Sequence, residues 1–171
     1  DQVTSMAHYH LAITANRDNR IKDALAHLAR IKPNFNDYIY TQGQLVFMAE
    51  SAREKTQDKK EQEFYVKAAK DAINRMPMFD VKEDSGTIIA MYFFAKMEMA
   101  KYFYAEAMEE LTGREPLKAI KKCTELTTFV KGLESEFTKV PPGRLTKEKR
   151  DQIAFSMEVM LKYADFGVAE V

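Results

Sequence analysis

A chain of 171 residues is long enough to bury one hydrophobic core, as a single domain or as one helical array. Its 26 basic and 26 acidic residues give zero formal net charge, which removes the electrostatic basis for binding nucleic acid or an anionic membrane surface. The single cysteine, Cys123, excludes an intramolecular disulfide and a cysteine-based zinc site.

The same composition leaves the cellular compartment open. A lack of disulfides favours the cytoplasm. We find no signal peptide and no uncharged run of about 20 residues, so we expect no membrane insertion. The chain begins at Asp1 instead of Met, which is also what a processed extracytoplasmic protein or a fragment of a longer protein would show.

Prolines and glycines divide the chain into seven predicted helices. Six of these cover residues 4–16, 21–31, 38–55, 63–76, 87–111 and 147–169, and the sixth helix in chain order begins near Pro116 and has apolar residues from Ala119 to Phe137. Asp37 is expected to cap the third helix by accepting a bond from a free backbone amide. The polar segment 56–62 is predicted to be an exposed connection or a frayed helix start. Gly113 is expected to close the fifth helix, and Pro116 suits the first turn of the sixth.

Apolar residues recur at helical spacing in every segment. The inward residues are predicted to be Ala7, Leu11 and Ala15 in the first helix; Ala24, Leu25, Leu28 and Ile31 in the second; Tyr65, Ala68, Ala69, Ala72 and Met76 in the fourth; Ala119, Cys123, Leu126, Val130, Leu133 and Phe137 in the sixth; and Ile153, Met157, Met160, Leu161, Ala164 and Val168 in the seventh. No segment alternates strictly for five residues, so the predicted fold is all-α.

The fifth helix is the one around which the others are expected to pack. Two apolar stripes cover roughly two thirds of its circumference, and such a helix lies between neighbours. The first stripe contains Ile89, Phe93, Met97, Ala100, Tyr104, Ala107 and Leu111; the second contains Ile88, Met91, Ala95, Met99 and Tyr102. Its polar strip is predicted to be Glu98, Lys101 and Glu109.

An internal repeat with a period of 44 residues relates the second helix to the fourth. Ala24, Pro33 and Phe35 align with Ala68, Pro77 and Phe79. Periods of about 20 to 50 residues built from helix pairs are typical of helical solenoids. We therefore expect one domain over 1–171 that consists of three antiparallel helix pairs and a C-terminal capping helix.

The first helix pair resembles a tetratricopeptide repeat. The residues that resemble this family are Leu11, Ala12, Ala15, Lys22, Asp23, Ala24 and Leu28. The chain departs from the family at His8, where a large aromatic is usual, at Ala12, where glycine is usual, and in its period, which is 44 instead of 34 residues. The resemblance implies a right-handed array with a concave surface formed by the first, third and fifth helices.

Residues that could carry chemistry show no catalytic or metal-binding pattern. His8 and His10 point roughly 200° apart on a helix and cannot share one ion. His27 is predicted to be a half-buried packing residue, Cys123 a small buried one, and the ten methionines core residues. The chain contains no phosphate-binding loop, nucleophile elbow or zinc-protease helix. We expect a protein that is not an enzyme and needs no cofactor or metal.

Two features indicate a binding surface. Tyr40, Gln44, Phe47 and Ser51 form a stripe on the third helix away from Leu45 and Ala49, and such a mixture of rings and amides suits a peptide-binding groove. A second packed face would explain the same stripe. Lys96 lies among apolar residues of the fifth helix near Tyr92, so its ammonium must either reach solvent or meet a carboxylate in a groove.

These patterns favour a non-catalytic helical-repeat module that binds a peptide or a protein partner. The residues predicted to bind it are Tyr40, Gln44, Phe47, Tyr92, Lys96 and Tyr102. The alternative is a ligand-sensing or regulatory helical bundle with a small-molecule pocket between helices. Self-assembly into a homodimer through the last two helices is a third hypothesis, because the sixth helix has heptad-like spacing.

Overall fold

The computed structural model describes residues 1–169. That part of the chain forms seven α-helices and no strand, which confirms the all-α prediction. The helices are α1 (Gln2–Arg17), α2 (Ile21–Ala29), α3 (Tyr38–Lys55), α4 (Lys59–Arg75), α5 (Gly86–Thr112), α6 (Pro116–Phe137) and α7 (Lys147–Ala169). None of these described helices is long and apolar enough to cross a bilayer.

The chain divides into two compact units. Unit 1 is Asp1–Phe79 and contains α1 to α4, and unit 2 begins at Asp80 and contains α5 to α7. The single repeat domain over 1–171 stays a prediction.

Local hydrogen bonds explain where the helices begin. The carboxylate of Asp58 accepts from the amides of Lys60 and Glu61 at 2.8 and 3.1 Å, so α4 begins at Lys59, four residues earlier than predicted. Asp37 does occupy the N-cap of α3, but the expected side-chain bond is absent. Asp58 has the extended backbone that such a cap requires (ψ 116°), whereas Asp37 has ψ 27°.

The turn between α5 and α6 also differs from the expected one. Gly113 occupies the C-cap of α5, yet its φ is −71° and it does not use the left-handed region that favours glycine. Arg114 adopts that region instead, with φ 62°. Pro116 lies in the first turn of α6 as predicted.

In unit 1 each helix packs against the next one in the chain, α1 on α2, α2 on α3 and α3 on α4. The inward face predicted for α2 is confirmed, since Ala24, Leu25, Leu28 and Ile31 are all buried. The predicted face of α1 is wrong in part: Ala7 and Leu11 are exposed, and Ser5, Ala12 and Ala15 face the core. These three side chains are small, so α1 can lie close to its neighbour.

Unit 2 is formed by three helices, each of which packs against the other two. The prediction that α5 lies between neighbours is confirmed by its contacts with α6 and α7. Phe93 and Ile89 of α5, Leu126 of α6 and Ile153 of α7 are fully buried. Glu98, predicted to lie on the polar strip, is only 7% exposed and accepts a bond from Lys101 at 2.7 Å.

Candidate binding groove

A groove runs along the surface of unit 1 between α2 and α4. We call it the α2–α4 groove, and its volume is about 310 Å³. It is lined by Lys22, Leu25, Ala26 and Ala29 of α2, Leu45 of α3, and Phe64, Lys67, Ala68, Asp71 and Arg75 of α4. On each of the two flanking helices these residues recur at steps of three and four, so each helix contributes one face.

The floor and walls of the groove are apolar. Leu25 and Leu45 form a buried floor, with 3% and 1% of their surface exposed. Ala26 and Ala29 are exposed on the α2 side. Phe64 lies on the α4 side, and 45% of its surface is exposed. Alanines beside an exposed ring create a recess that larger apolar side chains of another molecule can fill.

One end of the groove is closed by a polar cluster at the starts of α2 and α4. The ammonium of Lys22 lies 2.8 Å from a carboxylate oxygen of Glu61 and 5.5 Å from the centre of the Phe64 ring. The hydrogen bond between Lys22 and Glu61 raises the pKa of the lysine and lowers the pKa of the carboxyl. Both groups are well exposed, so the ion pair links the two helix starts but contributes little to the free energy of unfolding.

The other end is held by a buried amide. Gln42 of α3 is fully buried, and its Nε2 donates to the backbone oxygen of Leu28 at 3.1 Å near the end of α2. Its Oε1 accepts from the guanidinium of Arg75 at 3.1 Å at the end of α4. The starts of α2 and α4 thus lie together, and so do their ends, which means that the two helices run in the same direction along the groove.

A second cavity of about 530 Å³ adjoins the α2–α4 groove and shares Lys22 with it. It is lined by Asn19, Arg20, Ile21, Lys22, Asp23, Ala52, Lys55, Thr56 and Tyr65. Five cationic side chains and two carboxylates line the two cavities: Arg20, Lys22, Lys55, Lys67 and Arg75 against Asp23 and Asp71. Three of these cations are paired, Arg20 with Asp18 and Asp23, Lys22 with Glu61, and Lys67 with Asp71. Lys55 and Arg75 are the lining cations with no ion pair within residues 1–169.

None of the residues that the sequence indicated for binding lines these cavities. Tyr40, Gln44 and Phe47 lie half-buried on α3 in unit 1. The Oε1 atom of Gln44 is buried and accepts no hydrogen bond within the described part of the chain. That stripe remains a predicted surface, and the α2–α4 groove is the one that the sequence reasoning missed.

The other three predicted residues belong to unit 2. Tyr92 is buried, and its hydroxyl donates to Glu136 at 2.8 Å; Tyr102 is also buried. Lys96 is half-buried, with its ammonium 5.4 Å from the centre of the Tyr92 ring. Burial lowers the pKa of Lys96, and the charge of Glu136 acts in the opposite direction. Burial and the bond to Glu136 raise the pKa of Tyr92 well above its usual range.

A histidine pair joins α1 to α2. The Nδ1 atoms of His8 and His27 are 3.1 Å apart, so one ring donates and the other accepts. The half-buried position predicted for His27 is confirmed. His10, by contrast, is exposed. Burial and the nearby charges of His27 and Arg30 lower the pKa of His8.

This pair should make the stability of the chain depend on pH. The folded pKa of His8 lies below its unfolded value of about 6.5, so stability is complete above that value and is lost as the pH falls through and below it. We expect the urea midpoint to fall between about pH 8 and about pH 5, and to fall less in His8→Gln. The exposed His10→Gln should behave as the wild type. Identical pH profiles for His8→Gln and wild type would contradict this role.

The remaining reactive side chains of the described residues form no site. Cys123 is fully buried, as predicted, and burial raises the pKa of its thiol, which disfavours the nucleophilic thiolate. No group of three or more histidine, cysteine, aspartate or glutamate side chains among residues 1–169 could hold a metal ion.

The heptad-like face of α6 is used within unit 2. Ala119, Cys123, Leu126, Val130 and Leu133 are all buried there. On α7, Phe155 and Phe166 leave 67% and 55% of their surface exposed. A homodimer through the last two helices stays a prediction, and both helices have exposed apolar residues that it can use, Leu117 on α6 and the two phenylalanines on α7.

Comparison of the chain with protein-family models, curated proteins and solved structures gave no significant match. The tetratricopeptide resemblance therefore remains an interpretation of the sequence.

One sequence signal could have revealed the groove. Phe64 and Tyr65 are adjacent on a helix and point about 100° apart, and only Tyr65 belongs to the inward stripe predicted for the fourth helix. Tyr65 lies on the predicted inward stripe and is 7% exposed, whereas Phe64 is 45% exposed. A large aromatic off the inward stripe is the one local feature that places an exposed ring on this face of α4.

Proposed function

We propose that this chain is a non-catalytic helical-repeat module that binds an apolar helical segment of a protein partner in the α2–α4 groove. The observation that supports it most is the groove itself, with a buried leucine floor, alanine walls and the exposed ring of Phe64. Exposed aromatic rings beside apolar pockets are typical anchors of protein interfaces. Tyr40, Gln44 and Phe47, which are half-buried on α3, remain a second candidate surface within unit 1.

A helical occupant suits the shape of the groove. The flanking helices run in the same direction, and α4 is 17 residues long, which corresponds to about 25 Å. An amphipathic helix laid between two helices inserts side chains at steps of three and four into the recess. The small side chains of Ala26, Ala29 and Ala68 allow such a helix to approach closely.

The tetratricopeptide-like arrangement is part of the proposal. Its support is the 44-residue repeat, in which Phe35 and Phe79 both follow a helix and a proline. Both rings are buried, with 6% and 4% of their surface exposed. Equivalent prolines and buried rings after α2 and α4 are expected if two similar helix pairs form unit 1.

A substitution that fills the groove should abolish binding. Peptides of about 14 residues, long enough as helices to follow the groove-lining part of α4 from Phe64 to Arg75, can be selected from a random displayed library with the full chain as bait. We expect Ala26→Phe to weaken the affinity of the selected peptides at least about tenfold, measured by fluorescence polarisation, because the added ring occupies the recess. Ala26 is exposed, so the variant should fold.

Ala105→Phe is the matched control, because Ala105 is an exposed helical alanine of unit 2. It should bind the selected peptides as the wild type does, and far-UV circular dichroism should show equal helicity for all three proteins. A library that yields no peptide, or peptides that Ala26→Phe binds normally, would exclude the groove as a peptide site.

A further inference from the structure

Arg75 is the cation in the α2–α4 groove whose position is best defined by the fold. Its guanidinium donates to Gln42, whose amide is fully buried and also bonds the end of α2. A buried amide is costly unless it is hydrogen-bonded, so the buried Gln42 oxygen favours the conformation of the exposed Arg75 side chain that donates to it. The backbone carbonyl of α2, the amide of α3 and the guanidinium of α4 form one connected set.

The guanidinium also has capacity for a further partner. Arginine carries five N–H donors in a planar fork, and the bond to Gln42 uses one of them. No carboxylate within the described residues lies within ion-pairing distance of Arg75. Lys67 is different, since its ammonium already pairs with Asp71 at 2.7 Å. The planar fork is the geometry that binds a carboxylate through two parallel bonds.

A second cation without an ion pair in the described part of the chain lies close to the groove. Lys55, in the adjoining cavity, also has no ion pair within residues 1–169. The other three lining cations, Arg20, Lys22 and Lys67, are already paired with carboxylates, so among the described residues the charge that a partner meets without a counter-charge is that of Lys55 and Arg75. A partner with acidic side chains is therefore attracted to this face, and a basic partner is repelled.

From these contacts we infer that the groove selects acidic amphipathic helices, whose apolar residues fill the alanine recess and whose aspartate or glutamate is bound by Arg75. This inference rests on the proposed function, because it names the chemistry of the partner for the same groove. Apolar residues at steps of three and four supply the buried area, and the carboxylate determines the direction and register of the helix along α4.

Two parallel library selections test it, one with the wild type and one with Arg75→Gln as bait. Peptides enriched by the wild type should contain aspartate or glutamate beside an apolar stripe, and those enriched by Arg75→Gln should not. For one wild-type peptide, replacing its acidic residue with the corresponding amide should weaken binding about tenfold. Arg75→Gln should weaken the acidic peptide to a similar extent and should bind both peptides equally. Arg75→Lys should lie between, since it keeps the charge without the fork.

Arg17→Gln is the control for the loss of one positive charge, because Arg17 is an exposed arginine of unit 1 that does not line the groove. It should keep the preference for the acidic peptide. If Arg75→Gln keeps that preference while Ala26→Phe abolishes all binding, the carboxylate contact is wrong and the groove stands. If Ala26→Phe binds normally, the groove itself is wrong and the inference fails with it.

Discussion

Replacing Phe93 with alanine should lower the free energy of unfolding by about 3–5 kcal/mol. Phe93 of α5 is fully buried, and its ring packs edge-on against Phe137 of α6, with the ring centres 5.3 Å apart. It packs in the same way against Tyr92, at 5.4 Å. The substitution removes both contacts and leaves a cavity between helices that cannot fully collapse. Urea unfolding followed by far-UV circular dichroism measures the loss.

Phe155→Ala is the matched control for that experiment. Phe155 lies on α7 of the same unit, but 67% of its surface is exposed. Its replacement should change the free energy of unfolding by about 0.5 kcal/mol or less. Similar losses for the two variants would contradict the central position of α5 in unit 2.

The position of α5 between other helices could be predicted from the sequence because its apolar pattern is compatible with few arrangements. Apolar residues cover two sides of that helix, so any fold that buries them must place neighbours on both sides. The pattern of α1 is less decisive. Leu11 is the larger apolar residue, yet 50% of its surface is exposed, and Ala12 is fully buried. Periodicity shows which residues share a face, but it does not show which face is inward when both contain apolar residues.

The prediction of helix N-caps from the sequence has a similar limit. Asp37 and Asp58 are the same residue type ahead of a helix, and only Asp58 makes the capping bond. The difference lies in the backbone angle ψ at the cap, which depends on how the preceding turn is packed. Residue preferences identify both positions as caps, but they cannot tell which side chain reaches the free amides.

The candidate groove could not be predicted from the sequence because it depends on contacts between residues that are far apart in the chain. Gln42 and Arg75 are 33 residues apart. A glutamine in the middle of a helix is most often a surface residue, so nothing local marked Gln42 as the buried link between three helices. Ala68 of the groove was predicted to face inward, because a small side chain fits equally well inside a core and in a recess. Only Phe64, next to Tyr65, was a visible local signal.

Gly86→Ala should lower the free energy of unfolding by about 2–3 kcal/mol. Gly86 is the first residue of α5, and a Cβ there would overlap the backbone oxygen of Arg144. A backbone oxygen cannot avoid the new methyl group by a change of side-chain rotamer. The segment is also anchored, since the guanidinium of Arg144 donates to the backbone oxygen of Lys82 at 2.6 Å. The start of α5 and the loop before α7 must therefore move apart, which disturbs the packing between these helices.

Gly132→Ala should have the opposite effect on the free energy of unfolding, and it lies in the same unit. Apart from its chain neighbours and the nearby backbone of α6 itself, no heavy atom lies within 4 Å of the position that its Cβ would occupy, and Gly132 is exposed in the interior of α6. Alanine there reduces the backbone entropy of the unfolded chain and should raise the free energy of unfolding by about 0.4–1 kcal/mol. The two substitutions add the same methyl group, so a difference of about 3 kcal/mol between them would reflect the close backbone approach at Gly86. Equal effects in urea unfolding would show that α5 does not need this contact.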